Sequence, residues 1–524
     1  MHEPSKPVSA TLARCVVGSV VAGLAGPALV VLLCTFGLAP PWALALVAAL
    51  IVASIWDGSA LTRLAALVPK SRLWLAAWLI AGAAAGAQNA RLAVFMLDPS
   101  RADASVFPGR AFFRQHSCAT AYTEAARLAP SGVNVYDPAL YHDPQSKSPR
   151  QMRTIGPFEV DQFEYPPPFL LLPRAAAALG LDFFTQRRVW FVVQSLTWLA
   201  ALLGLAGWIG GRPGAIAGAL IPVTMALPPT LLTLQIGNFQ ITTFSLCVLA
   251  MLAFARARPL PGALALGFAT LSKVFPGVLG VLLLGAGRRR PVAWTVAASL
   301  ALVGLALGSL GAGPFIDFFS YQLPRLSSGD AFPWTEIPSV ATINVSIYGL
   351  LTKLRGLGVP GTDKATAQIV CHLYVVAVLL PLAWLAARRL KRAEALLVPV
   401  EYRLRQAQTW LALLSLAAAR SPFLPDAYAT LGGLWLLTLL AAEGGKAARQ
   451  LGLALVAGAF CVLLDAQALP DPLPAWLLAL TLGIQLSVLG LNIWAIARPI
   501  QPLAARARLP DAAPTGASLQ SRLA

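Results

Sequence analysis

Residues 16–56 decide the fold: they read VVGSVVAGLAGPALVVLLCTFGLAPPWALALVAALIVASIW and contain no Asp, Glu, Lys or Arg. A helix needs about 20 apolar residues to cross the hydrocarbon core of a bilayer, so this stretch is long enough for two crossings. A second charge-free stretch, Pro213 to Ala255, is also long enough for two. The sequence therefore predicts an all-α polytopic membrane protein.

The composition of the whole chain supports this class. Of 524 residues, 57% are apolar and 12% are charged. Soluble domains carry about 25% charged residues, so an ordinary soluble fold is excluded. Disorder is excluded as well, because disordered chains combine low hydrophobicity with high charge.

The basic excess follows the expected membrane topology. Lys and Arg number 40 against 22 Asp and Glu, a net charge of +18. When the N-terminus is placed in the cytoplasm and crossings are counted, clusters such as Arg288 to Arg290 and Arg388 to Arg392 all fall inside. Positive residues hold loops on the cytoplasmic side, so the charge requires no nucleic-acid partner. We expect a multi-pass protein of the bacterial inner (cytoplasmic) membrane with both termini in the cytoplasm.

Apolar runs predict the individual crossings. They lie near 15–38, 42–56, 73–96, 188–209, 213–233, 239–255, 291–312, 367–387, 450–466 and 474–497. Shorter apolar pieces at 259–272, 274–287, 406–419 and 427–442 form two pairs, which meet at Lys273 with Pro276 and at 420–426. Broken helices are tolerated in a bilayer where they line a cavity, and they often place polar groups at working depth. We expect about 12–14 transmembrane or re-entrant helices.

The domain organisation follows from these crossings. We predict a cytoplasmic N-terminus at 1–13, one integral membrane domain at 14–498 and a disordered cytoplasmic tail at 499–524. Long outer loops lie at about 97–187 and 313–366, and long ordered loops are usually functional. Within the first loop, Ala119 to Leu128 and Pro166 to Leu179 are typical of short surface helices.

The first outer loop holds the residue types that a sugar-transfer site needs. An outer face has no nucleotide sugars, so an enzyme there requires a donor that arrives within the membrane, such as a polyprenyl-phosphate sugar. The acceptor hydroxyl needs a carboxylate to take its proton. The leaving phosphate needs cationic or amide groups. The loop supplies carboxylates and interleaved tyrosines, while Lys273 is a lone cation between apolar pieces, where it is expensive.

Several motifs occur in one order along the chain. They are Ala121-Tyr122-Thr123-Glu124-Ala125-Ala126, Gly132 to Asp137, Phe163-Glu164-Tyr165-Pro166-Pro167-Pro168-Phe169, Gln235-Ile236-Gly237-Asn238-Phe239-Gln240, Gly267 to Pro276 with Lys273, and Ser421-Pro422 followed by Tyr428. This order resembles glycosyltransferase family 87, the polyprenol-phosphate-mannose-dependent mannosyltransferases of the GT-C superfamily. The resemblance spans about residues 115 to 440.

The resemblance implies a GT-C-like bundle with its active site on the outer, periplasmic face. It implies an inverting hexosyltransferase that moves a mannose-like sugar from a polyprenyl-phosphate donor to a lipid-linked or cell-envelope glycan acceptor. Its partners would be membrane lipids, the lipid-linked donor and the glycan or glycolipid acceptor. No cofactor is expected beyond the donor. The four histidines are scattered and no dense ligand motif occurs, so we expect no metal.

The resemblance also implies site residues, with one departure. The family has an Asp, the presumed base, four residues before the tyrosine matched by Tyr122, and here that position is Cys118. A thiol is a poor substitute for a carboxylate base. We therefore predict that Glu124, or else Asp137 or Asp143, is the base. The predicted substrate-binding residues are Tyr122, Tyr136, Tyr165, Pro166, Pro167, Gln235, Asn238 and Lys273.

Other interpretations remain open at this point. Gln235 and Asn238 also fit a purely structural role as turn and cap residues. A lipid or sugar transporter, or flippase, would suit broken helices with a buried cation. The absence of an inverted repeat and the acidic, aromatic outer loop count against a carrier. A non-catalytic envelope assembly protein would explain Cys118.

Overall fold

The computed structural model describes residues 10–57, 72–145, 151–442 and 473–500. The described part is almost wholly helical, with one small sheet. Five of its helices are long and apolar enough to cross a membrane, or six if a bent pair counts as one span. The predicted all-α polytopic class is confirmed.

The helices are numbered in chain order. Those of the first half are α1 Ala10–Thr35, α2 Pro40–Asp57, α3 Arg72–Leu97, α4 Ala111–Gln115, α5 Cys118–Leu128, α6 Leu171–Ala178, α7 Phe183–Ile209, α8 Gly211–Ala219, α9 Ile221–Ala226, α10 Pro228–Ile236 and α11 Gln240–Ala255. Those of the second half are α12 Pro259–Lys273, α13 Val278–Gly285, α14 Arg289–Leu310, α15 Gly313–Asp317, α16 Leu323–Ser328, α17 Pro338–Ile343, α18 Ile347–Gly356, α19 Lys364–Leu373, α20 Leu380–Leu396, α21 Pro399–Ala418, α22 Asp426–Ala442 and α23 Ala475–Ala497.

Short 3-10 turns lie at Ala102–Ala104, Ala129–Ser131, Pro138–Leu140, Pro167–Leu170, Phe275–Gly277 and Pro333–Glu336, and π-helical turns at Phe318–Gln322 and Tyr374–Leu379. The strands are β1 His116–Ser117, β2 Thr154–Ile155 and β3 Phe158–Val160.

Among the described residues, helices occupy the predicted crossing ranges; a π-helical turn lies within 367–387, and one range differs more strongly. The range 213–233 is not a single helix but a chain of three, α8 to α10, bent by 56° between α9 and α10. Proline explains the bend, since Pro228 and Pro229 lack an N–H and disfavour helix in the residue before them. The predicted crossing at 450–466 and the tail from 501 onward lie outside the described residues.

Both predicted helix breaks are present. Helix α12 ends at Lys273 and α13 begins at Val278. Pro276 enforces this end, because a proline inside the helix would clash with the carbonyl of Ser272 four residues earlier. The second break separates α21 from α22, and Asn344 of the second outer loop holds it by donating to the Pro422 carbonyl at 2.9 Å and accepting from the Leu424 N–H at 3.0 Å. Each break therefore leaves a helix end near polar loops.

The core is built from α7, α11, α12, α21 and α22, which pack against one another. Trp198 of α7 and Trp435 of α22 meet edge to face with ring centroids 5.1 Å apart. Trp410 of α21 is buried and donates its indole N–H to the Cys247 carbonyl of α11 at 3.1 Å. This packing fixes the start of α7, the start of α11 and the end of α12, which carry the candidate site.

The first of the two predicted long loops, at about 97–187, forms a small subdomain around the three-stranded sheet. Its order is β1-β3-β2, with β1 parallel and β2 antiparallel to β3. Helix α5 follows β1 directly, and the turn Pro167–Leu170 leads into α6, so a short helix is present at both predicted positions, although most of α5 is buried. Because β1 runs parallel to β3, the residues that follow each strand, Cys118 and Asp161, emerge at the same edge.

Candidate functional site

Helix α5 presents Cys118 and Tyr122 on one face, because residues four apart in a helix are neighbours. The Tyr122 hydroxyl donates to the Tyr165 hydroxyl at 3.1 Å and accepts from the Phe239 N–H at 3.3 Å. Its ring also packs edge-on against Phe169 at 4.7 Å. Tyr122 thus joins the outer subdomain to the start of α11.

Tyr165 is held in place by its proline-rich neighbours. Pro166 has extended backbone angles, and Pro167 then starts the 3-10 turn at its first position, where a missing N–H costs nothing. This change of direction stacks the Tyr165 ring on Phe169 with centroids 4.8 Å apart. The Tyr136 hydroxyl donates to the Tyr165 carbonyl at 3.0 Å and fixes the segment from the other side.

Asn238 lies in the turn between α10 and α11. Gly237 ends α10 in the left-handed region at φ 72°, and a Cβ there would meet the Trp190 ring at 3.3 Å. The Asn238 side chain accepts from the Gln240 N–H at 2.9 Å and donates to the Cys118 sulfur at 3.4 Å. The turn therefore aims an amide at the position where the resemblance puts a carboxylate.

Lys273 reaches the same place from the end of α12. Its Nζ lies 3.5 Å from the Asn238 Oδ1, 5.2 Å from the Tyr165 ring centroid and 6.0 Å from the Tyr428 ring centroid. Rings supply partial compensation for a cation, but none carries a full negative charge. Lys273 is therefore a cation placed among aromatic faces with capacity to bind an anion.

Two acidic residues and a histidine face this cluster. The His116 Nε2 lies 3.6 Å from the Cys118 sulfur and 3.8 Å from the Asp161 Oδ2. Burial alone would lower the pKa of His116, but the negative charge of Asp161 and the Cys118 thiol outweigh it and raise the pKa to about 9. Burial and the nearby Asp161 raise the pKa of Glu164 well above its ordinary value, against the opposing effect of Lys273.

Within the described part of the chain, the Glu164 carboxylate makes no side-chain hydrogen bond or ion pair, and it is half-buried. A half-buried carboxylate with a raised pKa is suited to proton transfer, because a base works best when its pKa is near the operating pH.

An apolar cavity adjoins the cluster between α21, α22 and α23. Tyr428 lines this cavity, together with Phe244, Leu434, Leu437, Val488 and Leu489. The same Tyr428 ring faces Lys273. A hydrocarbon chain in this cavity would therefore have its polar end close to Lys273.

The three predicted bases lie in other surroundings. Glu124 is on α5 but two residues after Tyr122, which turns it about 200° around the helix. It pairs instead with Arg127 at 2.9 Å and Arg153 at 3.1 Å. Burial would raise the pKa of Glu124, but the hydrogen bonds and charges of these two arginines lower it below its usual value.

Asp137 is exposed and caps the turn Pro138–Leu140 by accepting from the Ala139 N–H at 3.0 Å. Asp143 accepts from the Gln145 N–H at 2.9 Å. Among the described contacts, none links Asp137 or Asp143 to Tyr122, Tyr165 or Lys273.

Gln235 is predicted to bind substrate, but in the structure both its amide oxygen and its amide nitrogen form hydrogen bonds with backbone groups. Its Oε1 accepts from the Val106 N–H at 2.6 Å, and its Nε2 donates to the Phe113 carbonyl at 2.6 Å and the Ser105 hydroxyl at 3.1 Å. Gln235 therefore clamps the first outer loop onto α10.

The structure brings together Tyr122, Tyr165, Asn238 and Lys273 from the predicted substrate-binding set. Tyr136, Pro166 and Pro167 support Tyr165 from outside. Sequence patterns predict no role for His116 and no special role for Asp161, Glu164 or Tyr428. Only Glu164 and Tyr428 carried a signal, since each lies in or just after a motif of the resemblance.

Comparison with known proteins confirms the resemblance. The family model of glycosyltransferase family 87 matches residues 163–402. No curated protein matches the chain, and no solved structure does. The matched residues include Glu164, Tyr165, Asn238 and Lys273, whereas Cys118 lies before them. The match implies a membrane glycosyltransferase with membrane lipids and sugar compounds as its partners.

Proposed function

We propose that this chain, whose residues 163–402 match glycosyltransferase family 87, transfers a mannose-like hexose from a polyprenyl-phosphate carrier to a hydroxyl of a lipid-linked or cell-envelope glycan. The reaction takes place at the outer face of the bacterial inner membrane and inverts the anomeric carbon. The observation that carries the proposal is the convergence of Lys273, Asn238, Tyr165 and Glu164 next to an apolar cavity.

Lys273 is assigned to the leaving group. When the bond between the anomeric carbon and the phosphate oxygen breaks, the carrier phosphate gains one negative charge. A half-buried cation aimed at this charge stabilises the transition state more than the ground state. Asn238 positions the ammonium through its Oδ1 at 3.5 Å, and the rings of Tyr165 and Tyr428 limit its other directions.

The apolar cavity is assigned to the isoprenoid chain of the donor. Most of its lining is apolar and suits a hydrocarbon, including Phe244, Leu434, Leu437, Val488 and Leu489, while Asp426, Gln485 and Asn492 add a few polar groups to the wall. Tyr428 lines the cavity, and its ring also faces Lys273, so this side of the cavity is the one closest to the ammonium. This arrangement supports a donor that arrives from within the membrane.

Glu164 is assigned as the base. It takes the proton of the acceptor hydroxyl while that oxygen forms the new bond to the anomeric carbon, and the carrier phosphate leaves on the opposite side. The raised pKa of Glu164 favours this role. Glu124, which the sequence favours as the base, suits this role less well because its carboxylate is paired with Arg127 and Arg153.

The experiment uses the full chain in nanodiscs with radiolabelled polyprenyl-phosphate mannose and a glycolipid extract from a bacterial envelope. Formation of a labelled glycolipid supports the proposal. Glu164→Gln should lower the transfer rate by about 10²–10⁴-fold. Glu124→Gln is the matched comparison, because it removes the same charge from the same loop.

Loss of transfer in Glu124→Gln but not in Glu164→Gln would return the base role to Glu124. If wild-type protein forms no product but moves unmodified donor across liposomes, the carrier alternative replaces the enzyme. If the protein forms no product with any envelope acceptor and moves no donor, the result would favour the assembly role.

A further inference from the structure

A group of three potential metal ligands lies at the edge of the candidate site. They are the Nε2 of His116, the Sγ of Cys118 and a carboxylate oxygen of Asp161, all within 4.8 Å of one another. We propose that these three side chains bind a divalent metal ion of the zinc type, with a fourth position open to an oxygen ligand.

The spacing suits a small tetrahedral ion. Zinc bonds of about 2.3 Å to sulfur and 2.0–2.1 Å to nitrogen or oxygen place neighbouring ligand atoms about 3.3–3.6 Å apart. The His116 Nε2 lies 3.6 Å from the Cys118 sulfur and 3.8 Å from the Asp161 Oδ2. The imidazole–carboxylate separation of 3.8 Å must shorten slightly, and the sulfur–carboxylate pair lies within the 4.8 Å limit of the group, so the Asp161 Oδ2 is the atom that has to move closer.

The ligand types also suit zinc. Thiolate and imidazole select zinc and related transition metals, whereas magnesium and calcium prefer oxygen. A site with three protein ligands leaves one tetrahedral position for water or a substrate oxygen, which is the pattern of catalytic zinc.

Neighbouring groups hold each ligand in place. The His116 ring stacks on Phe112 with centroids 4.9 Å apart and planes 13° from parallel. Asn238 donates to the Cys118 sulfur at 3.4 Å, an interaction that suits a thiolate. Such supporting contacts orient metal ligands and tune their affinity.

Asp161 is fixed in the same way by its own backbone. Its N–H donates to the Thr120 hydroxyl oxygen at 2.9 Å, and the Gln162 N–H donates to its Oδ1 at 3.0 Å. The Oδ2 is the atom that faces His116. One carboxylate oxygen is thus used locally while the other is directed at the trio.

The sequence expectation of no metal depended on ligand spacing along the chain. His116 and Cys118 are two residues apart, but Asp161 joins them only through the parallel β1–β3 pairing. The binding inference stands independently of the proposed reaction. Its use, to hold the acceptor hydroxyl near Glu164, rests on that proposed function.

The test measures metal binding without any sugar donor. Full-length protein with a tag that lacks histidine is stripped with a chelator, titrated with Zn²⁺, desalted and analysed by mass spectrometry of its metal content. We expect one zinc per chain in the wild type. Cys118→Ser should weaken the affinity on the order of 100-fold or more. Cys371→Ser is the control, because Cys371 is a buried free thiol of α19 outside the trio.

Titration of the wild type with Co²⁺ provides a readout that needs no variant. A thiolate-to-cobalt charge-transfer band, absent in Cys118→Ser and present in Cys371→Ser, identifies the sulfur ligand. Wild-type protein that binds neither zinc nor cobalt, or binds both equally well in Cys118→Ser, would overturn the inference. Because no donor is present, this outcome is distinct from failure of sugar transfer.

Discussion

Replacement of Lys273 by Met separates the chemistry of the site from its stability. Methionine keeps the length and apolar stem of the side chain but removes the charge. In the structure, the ammonium has one long contact, 3.5 Å to the Asn238 Oδ1, and two ring faces. These contacts and the charge of nearby Glu164 only partly offset the cost of desolvating the ammonium, so its removal should leave the thermal midpoint unchanged or raise it.

The effect on catalysis should be large and in the opposite direction. The leaving phosphate gains a charge in the transition state, and loss of one positioned electrostatic partner costs about 2.7–4 kcal/mol, or 10²–10³-fold in kcat. The ground-state donor already carries one phosphate charge, so KM should rise less than kcat falls. The assay is the initial rate of labelled glycolipid formation in nanodiscs at several donor concentrations.

Lys353→Met is the contrasting control. Lys353 is a buried lysine of α18 whose Nζ donates to the Asn344 carbonyl at 2.7 Å and to the Gln485 Oε1 at 2.8 Å. Its removal leaves two buried acceptors unpaired, at a cost of about 1–3 kcal/mol each. The thermal midpoint should fall. A Lys273→Met protein with near wild-type kcat, or one that loses transfer only because it unfolds, would refute the assignment.

Other predictions concern the first outer loop. The pKa of Glu164 is raised, so this base becomes ionised only at a pH above the ordinary carboxyl range. The acidic limb of the pH profile of kcat/KM should therefore lie above that range. The limb should be absent from the residual activity of Glu164→Gln. Glu124→Gln should lower the free energy of unfolding at neutral pH by about 1–3 kcal/mol. Because the pKa of Glu124 is lowered in the fold, this stabilisation is present above its unfolded pKa and should vanish in wild-type thermal scans as pH falls through the folded value. Gln235→Leu leaves the Val106 N–H and the Phe113 carbonyl without their partner, so hydrogen exchange of residues 105–113 should become faster while α10 stays protected.

The parts of the fold that follow local rules could be predicted from the sequence. Charge-free runs predict the long helices, and proline residues predict both helix breaks, including the end of α12 at Lys273. The convergence of Tyr165, Asn238 and Lys273 followed from these breaks, since each lies at an outer helix end or in the loop that covers it. The bend within 213–233 shows where hydropathy alone fails, because Pro228 and Pro229 do not interrupt the apolar run although they bend the helix.

The orientation of individual side chains could not be predicted in the same way. Glu124 was preferred as the base because it shares a short helix with Tyr122, but a separation of two residues directs it to the opposite side. A glutamine at a helix end gives the same sequence pattern whether its amide binds a substrate or the protein backbone, so the role of Gln235 could not be predicted. Only the path of the loop past Val106 and Phe113 decides between them.

Long-range strand pairing was the other missing information. His116, Cys118 and Asp161 meet because two very short strands, β1 and β3, run parallel. Strands of two or three residues carry no alternating pattern that a sequence could reveal. The charge of Asp161 also contributes to the raised pKa of Glu164, which follows three residues later on the same segment.

Cys118 can be understood as a lost base or as a gained ligand, and Cys118→Asp distinguishes the two. A lost base would be restored by the Asp that the resemblance places here, so the transfer rate should rise and Glu164→Gln should become tolerable in that background. A gained ligand gives the opposite result: the rate does not rise in Cys118→Asp, and the wild type shows a thiolate band in its cobalt form that the variant lacks. We expect the second outcome, because Asn238 donates directly to the sulfur and His116 lies 3.6 Å from it, so polar groups that suit a metal ligand already contact this side chain. A faster Cys118→Asp enzyme would show instead that the carboxylates of Asp161 and Glu164 only partly replace a missing one.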